Sequence, residues 1–356
     1  MKNTLYLVFI LLVSCSKEAQ DVQAVFKRPF MYAAVDLSYL PQLRKVNTVF
    51  YDQKNQPRDL LSIVSDEGVN TVRLRIWVSP ETESSSFEEV KRFSKELKEI
   101  GMKVWITVHY SDTWADPGSQ QVPEEWNGLS QEDLLVRVYE YTQRIVEEIA
   151  PDIIQIGNEV NNGFMFPYGS VYKHQKYFFE LMTTGVAAVR ASSDTCKIMI
   201  HVAGLDKSEW FFGLLKGLDY DMIGISYYPK WHGKNMEVFA SEFNNLSQQF
   251  GKDILIAETA YPFTLDWNDW THNVMGEKEA LIWPKYPATE RGQLLFFQKV
   301  KEIVLRTEKG RGFCYWGAAL VAFDGVESTK GSAWENQALF DFNSKVLPAM
   351  HVFNVK

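Results

Sequence analysis

A chain of 356 residues can hold two average domains or one large barrel, and a hydrophobic fraction of 46% is ordinary for a globular protein. The formal net charge of −8 argues against a nucleic-acid partner, which needs a basic face, and three cysteines exclude a disulfide framework. The aromatic share is high, 14% with 11 Trp and 16 Tyr. Aromatics fill cores first, but they also stack on sugar faces.

Residues 1–14 have the layout of a processing segment. Lys2 supplies a positive charge, and the apolar run from Leu5 to Val13 is too short for a stable membrane span. Leu12-Val13-Ser14-Cys15 resembles the lipobox of bacterial lipoproteins, which implies cleavage before Cys15, lipidation of its thiol and anchoring of a cell-surface protein to the outer membrane. The alternative is an ordinary signal peptide with an incidental cysteine. Residues 15–28 then read as a polar tether and 29–356 as one folded domain. Cys196 and Cys314 fall in or beside apolar runs and read as buried thiols.

From there the chain keeps one beat. Phe30 to Leu37 is the first strand candidate, ending near Asp36, and a helix opens at Asp59. Asn70 to Val78 alternates strictly, with Val72, Leu74 and Ile76 on one face and Arg73, Arg75 and Trp77 on the other. Ser86 to Ile100 carries Phe87, Val90, Phe93 and Leu97 at helical spacing and stops at Gly101. Lys103 to Asp112 is a strand ending in His109, Tyr110, Ser111 and Asp112, followed by a loop with Trp114, Asp116 and Trp126. Ser130 caps a helix that runs to Ala150. Ile153 to Ile156 is a short buried strand that runs out into Gly157-Asn158-Glu159.

The second half repeats the pattern. Tyr172 to Ser192 reads as helix, Lys197 to Ala203 as strand and Ser208 to Leu218 as helix. Asp221 to Pro229 is a strand ending in Tyr227 and Tyr228, and Asn235 to Gly251 is a helix. Asp253 to Tyr261 is a strand that carries Glu258 near its end. After a long loop, Pro262 to Pro287, a helix spans Thr289 to Lys309, and Gly312 to Val321 is the last strand, with Trp316 inside it. The tail from Ala322 to Leu347 reads as irregular.

Strand and helix thus alternate eight times, which predicts an α/β fold with a parallel sheet. The expectation is a single (β/α)8 TIM barrel with extended βα loops, acting as a monomer. Asp36, Arg75, His109, Asp112, Glu159, Tyr228, Glu258 and Trp316 gather at the strands' C-terminal ends, the rim where barrels place their sites. Two strand-end glutamates are what glycosidic cleavage needs, one acid for the leaving oxygen and one carboxylate as nucleophile or base. Asn158 could hold a sugar 2-hydroxyl. Arg75 and a tyrosine at the end of the sixth strand, with Tyr228 favoured over Tyr227 by strand parity, could keep Glu258 ionised. Each residue alone has a plainer reading: a solvated loop carboxylate, a structural ion pair, a core tryptophan.

The motifs as a set resemble glycoside hydrolase family 53, the endo-β-1,4-galactanases of clan A. They are VRLRIWVSP at 72–80, HYSDTWADPGSQQVPEEW at 109–126, IQIGNEVN at 154–161, DMIGISYYPKWHG at 221–233, ILIAETAYP at 254–262 and WENQALFD at 334–341. The resemblance implies retaining hydrolysis of β-1,4-galactan, the side chain of pectic rhamnogalacturonan I, with Glu159 as acid/base, Glu258 as nucleophile and carboxyl groups about 5 Å apart. No cofactor is needed for that chemistry. Trp77, Trp114, Trp231 and Trp316 are the expected sugar-stacking residues. Bacterial members often hold a structural calcium near the loop after the seventh strand; here Asp269, His272 and Asn273 are its possible ligands, and a metal-free loop is the alternative. Two other functions remain: a surface glycan-binding lipoprotein with an inactive barrel, and a clan-A hydrolase of another β-1,4-glycan.

Overall fold

The computed structural model describes residues 31–354; the signal segment, the lipobox cysteine Cys15 and the tether lie outside the described residues. Eight parallel strands close into a barrel: β1 (Tyr32–Asp36), β2 (Thr71–Ile76), β3 (Lys103–Val108), β4 (Ile153–Ile156), β5 (Lys197–Ala203), β6 (Met222–Ser226), β7 (Asp253–Thr259) and β8 (Gly310–Tyr315). The last strand pairs back onto β1 with Tyr32 opposite Gly312. Between successive strands run the crossover helices α1 (Leu60–Asp66), α2 (Phe87–Glu99), α3 (Gln131–Ile149), α4 (Gln175–Ser192), α5 (Ser208–Leu214), α6 (Met236–Phe250) and α7 (Glu290–Arg306).

Local chemistry sets these helix boundaries. Asp59 accepts from the amides of Leu61 and Ser62, Ser86 from Glu89, Ser130 from Asp133 and Thr289 from Gly292, so each side chain satisfies amides that have no partner inside the first turn. Helix α4 begins at Gln175, not Tyr172: residues 163–164 and 169–170 pair as a small hairpin, and the chain leaves it through a turn over 171–173 in which the His174 amide donates to the Ser170 carbonyl. The eighth alternation also departs from expectation. After β8 the chain spends residues 316–347 on loops over the barrel mouth and closes with a 3-10 segment, Pro348–Phe353, in place of a helix. Phe353 stacks on Phe313 with ring centroids 4.9 Å apart, which seals the apolar gap that an eighth helix would have covered.

The inward residues of the barrel form layers. Tyr32, Ala34, Trp105, Ile153, Met199, Met222, Leu255, Ala257 and Cys314 form a dry plug, distinct from the larger apolar shell between strands and helices. Both Cys196 and Cys314 are buried free thiols. One step toward the C-terminal ends, the inward residues turn polar: Arg73, Thr107, Gln155 and His201, all buried. Groups so placed need partners within the protein, and they find them in the side chains of the rim.

Closing the ring brings β8 hard against β1. A Cβ on Gly312 would lie 1.8 Å from the Tyr32 carbonyl oxygen. Gly312→Ala is therefore expected to push the two strands apart at the seam and lower stability by about 3 kcal/mol, read as the shift in denaturant midpoint against wild type. Near-wild-type stability would show that the seam can widen freely.

Candidate active site

Strand β4 ends at Ile156, and the chain turns sharply. Gly157 takes a φ of +76°, and a Cβ there would lie 2.4 Å from Val160 Cγ1. Glu159 itself sits at φ +46°, an unfavourable backbone for a side chain with a Cβ. The turn is held where the Val160 amide meets the His201 carbonyl at 2.9 Å. The outcome is a carboxyl only 8% exposed, whose Oε1 accepts from the Ser226 hydroxyl at 2.5 Å.

Glu258 is aimed by a different device. Ile225 of β6 pairs with Ile256, but the next residue, Ser226, pairs with Glu258, so β7 carries one extra residue there. The bulge flips Glu258 from its regular alternation onto the inner face. Its Oε1 lies 2.7 Å from Arg73 Nη2 and its Oε2 accepts from the Tyr228 hydroxyl at 3.1 Å. The tyrosine on Glu258 is thus Tyr228; Tyr227 is buried behind the strand, stacked on Phe239 and bonded to the Gly233 carbonyl. The arginine differs from expectation. Arg73, one inward position below Arg75, makes the ion pair, because its long side chain rises from the layer beneath to the rim. Arg75 lies between Tyr39 and Trp114, 4.2 Å from each ring centroid, and donates to Ser85.

Arg73 is the hub of the cluster. It is 1% exposed, and it also holds Asp36 Oδ2 at 3.0 Å and Asn158 Oδ1 at 2.8 Å. Burial alone would lower its pKa, but the charges of Glu258 and Asp36 raise it, so it stays cationic. The two glutamates respond unequally. Burial first and the charge of Glu258 second push Glu159 up to about 8, against the opposing hydrogen bond from Ser226. Burial also raises Glu258, but the adjacent Arg73 charge, with the Tyr228 hydroxyl, pulls it back toward the ionised form. A proton shared between these two carboxyls therefore belongs on Glu159.

Both glutamates line one cavity of about 510 Å³ together with Asp36, Arg73, Arg75, His109, Trp114, Asn158, Tyr228, Trp231 and Trp316. Asp36 serves there as the holder of Arg73. The amide of Asn158 is already engaged, its Nδ2 donating to the Ala115 carbonyl at 2.8 Å. His109 is kept neutral by burial and by Arg73 and Arg75, with its pKa down to about 3, and its Nδ1 accepts from Trp77 Nε1 and the Ala115 amide. Two expected residues stand elsewhere. Asp112 accepts from the amides of Ser79 and Glu124, so it clamps two loops together and does not line the cavity. Trp77 packs on Arg75 and His109 behind the wall. The sequence reading missed Ser226, His201, His232, Asp116 and Trp334. Trp334 lines the cavity edge-on to Trp316 at 4.5 Å and comes from the tail that reads as irregular.

The loop after β7 is drawn in by the same tail. Glu335 Oε1 accepts from the amides of Asn268 and Asp269 and from Asn273 Nδ2. His272 is exposed against Trp267, so Glu335 takes its expected place beside Asp269 and Asn273. Among the described residues no three His, Cys, Asp or Glu side chains converge as a metal set. Glu335 Oε2 and Asn273 Oδ1 are nonetheless buried without a hydrogen-bond partner among the described residues, two acceptor oxygens of the kind a hard cation takes.

Known proteins place this architecture. The arabinogalactan endo-β-1,4-galactanase of Cellvibrio japonicus (strain Ueda107) is 32% identical over 345 residues, 91% of this chain and 90% of its own. A solved structure of an Ignisphaera aggregans GH53 catalytic domain aligns with a TM-score of 0.86 at 36% identity, covering 92% of this chain and 96% of that one. A fungal β-1,4-galactanase structure aligns at 0.79 and 25% identity, over 91% and 99%. Residues 32–353 match the family described as glycosyl hydrolase family 53, and the chain belongs to that family.

Proposed function

We propose that the protein is a retaining endo-β-1,4-galactanase acting on galactan and type I arabinogalactan, with Glu159 as acid/base and Glu258 as nucleophile. The observation that carries the reading is the unequal surroundings of the two buried carboxyls: Glu258 has a cation and a phenol on its oxygens, whereas Glu159 has neither. The galactanase names of the relatives support the substrate. Trp114, Trp231, Trp316 and Trp334 supply apolar faces suited to an uncharged sugar chain.

In the first step Glu258 forms a bond to the anomeric carbon while the bond to the leaving oxygen breaks and Glu159 gives that oxygen its proton. In the second, Glu159 takes a proton from water, the water oxygen bonds to the anomeric carbon, and Glu258 leaves as carboxylate. Three neighbours prepare Glu159 for both roles. Burial drives the His201 pKa far down, so its ring is neutral. With Ser226 donating to Glu159, the Ser226 oxygen accepts from His201 Nε2 at 2.8 Å, and His201 Nδ1 faces the Gln155 amide at 3.0 Å. Glu159 Oε1 is thereby occupied as an acceptor, and the transferable proton sits on Oε2. After transfer, the same serine stabilises the carboxylate.

A structural cation is a second, independent proposal for this protein. Glu335, Asn273 and Asp269 would hold calcium, which would tie the loop 262–287 to the tail and take no part in the chemistry. Calcium added to protein stripped with chelator should raise Tm by several degrees, a gain of about RT ln(1 + [L]/Kd), and Glu335→Gln should abolish the gain. An unchanged Tm would mean that the loop closes on its own hydrogen bonds.

The two glutamate variants should differ in kind. Glu159→Ala should lose about 10²–10⁴-fold on galactan, keep most of its attack on a dinitrophenyl galactoside, and yield an azide adduct of retained configuration. Glu258→Ala should be inactive on both substrates and be rescued by azide with inversion. Proton NMR of the adducts reads the outcome, and swapped configurations would reverse the assignment. The wild-type pH profile follows the same signs. Activity falls on the alkaline side as Glu159 ionises through about 8, and on the acid side as Glu258 gains a proton.

A further inference from the structure

The catalytic cavity does not end at Glu159. Its wall of Pro117, Ala203, Trp231 and His232 also bounds a second cavity of about 300 Å³, set over β4, β5 and β6. On the far side of that cavity stand Tyr172, from the loop before α4, and Trp210 of α5. Their rings are stacked, with centroids 5.6 Å apart and planes within 7°. Both are unusually open for large aromatics, 58% and 42% exposed. Trp210 then lines a third depression that continues between α5 and α6. The three depressions share lining residues in succession, so they lie in a row that leads from Glu159 at the barrel mouth to the outer side of α5 and α6.

Nothing in the packing requires this pair. Tyr172 and Trp210 are surface residues on separate elements, and apolar rings of this size are ordinarily buried. A rigid, flat, solvent-facing aromatic pair at the side of a sugar-cleaving cleft matches the C–H face of a pyranose ring. The polar floor beside it is fixed, since Asn161 is locked to both backbone atoms of Ala203 and Asn162 Nδ2 to the Pro117 carbonyl. The row lies on the side of Glu159, the residue that protonates the departing oxygen, and away from β7, which carries Glu258, and from Trp316 just past β8.

We propose that Tyr172 and Trp210 form a distal subsite that binds the leaving-group arm, the reducing-end portion, of the β-1,4-galactan chain. The proposal rests on the assignment of Glu159 as the acid. The subsite gives the enzyme grip on a long chain beyond the bond it cuts and so favours internal cleavage over trimming of chain ends.

The test uses the full-length enzyme with Trp210→Ala, Tyr172→Ala and the conservative Trp210→Phe. The substrates are galactan, an aryl β-galactobioside and β-1,4-galactohexaose tagged at its reducing end. The ratio of kcat/KM on galactan to that on the aryl substrate should fall roughly tenfold in Trp210→Ala, the scale of one lost aromatic contact, and Trp210→Phe should recover most of it. On tagged hexaose the alanine variants should shift the cut toward the reducing end, giving shorter tagged fragments. An unmoved cut with an unchanged ratio would overturn the subsite, and a shift toward the other end would place the aromatic pair on the opposite arm. A wild type inactive on galactan would instead overturn the galactanase reading on which the subsite rests.

Discussion

The site depends on one buried cation. Arg73 stands inside the barrel with almost no access to water and holds Asp36, Glu258 and Asn158 at once. A guanidinium suits this position because its planar fork serves several acceptors and stays charged when buried. Removing it would leave two carboxylates without compensation, a loss of about 3–5 kcal/mol for a broken buried pair. The same charge separates the two glutamates: it lies on Glu258 and not on Glu159, so one carboxyl tends to ionise and the other to hold its proton.

Backbone geometry does the rest of the aiming. Glu159 reaches the cavity through a left-handed turn after β4, and Glu258 through an extra residue in β7. Both are departures from regular structure, tolerated because the barrel beneath them is rigid and dry. The plug of Trp105 and its neighbours supports the arginine from below, with Arg73 5.6 Å from the Trp105 ring. Packing, charge placement and reaction direction thus follow from the same few inward-facing positions.

Much of this was legible in the residues. Apolar runs ending in Asn158-Glu159 and at Glu258 announced strand ends carrying carboxylates, and parity picked Tyr228 over Tyr227. Parity could not decide between Arg73 and Arg75, which share a face; the choice rests on how far a long side chain climbs, a matter of three-dimensional height. Asp112 looked like a rim residue, yet backbone amides of two loops claim it. Glu335 and Trp334 come from a tail without periodicity; the WENQALFD motif at 334–341 marks them by resemblance alone, and nothing in it says that they return to the site. Ser226 and His201 lie on strands whose inward face is readable, but a serine touching a glutamate 67 positions away is visible only after the barrel closes.

The most direct check is to watch the two carboxyls titrate. Protein carrying carbon-13 in its glutamate carboxyls, with Glu159 and Glu258 assigned, can be followed by NMR from acid to alkaline pH. Glu159 is expected to be the carboxyl that titrates near 8. Its midpoint should fall in Glu258→Gln, because a neighbouring negative charge has gone while burial remains. A signal near 8 that belongs to Glu258, or a Glu159 midpoint indifferent to Glu258→Gln, would mean that the proton does not reside on Glu159.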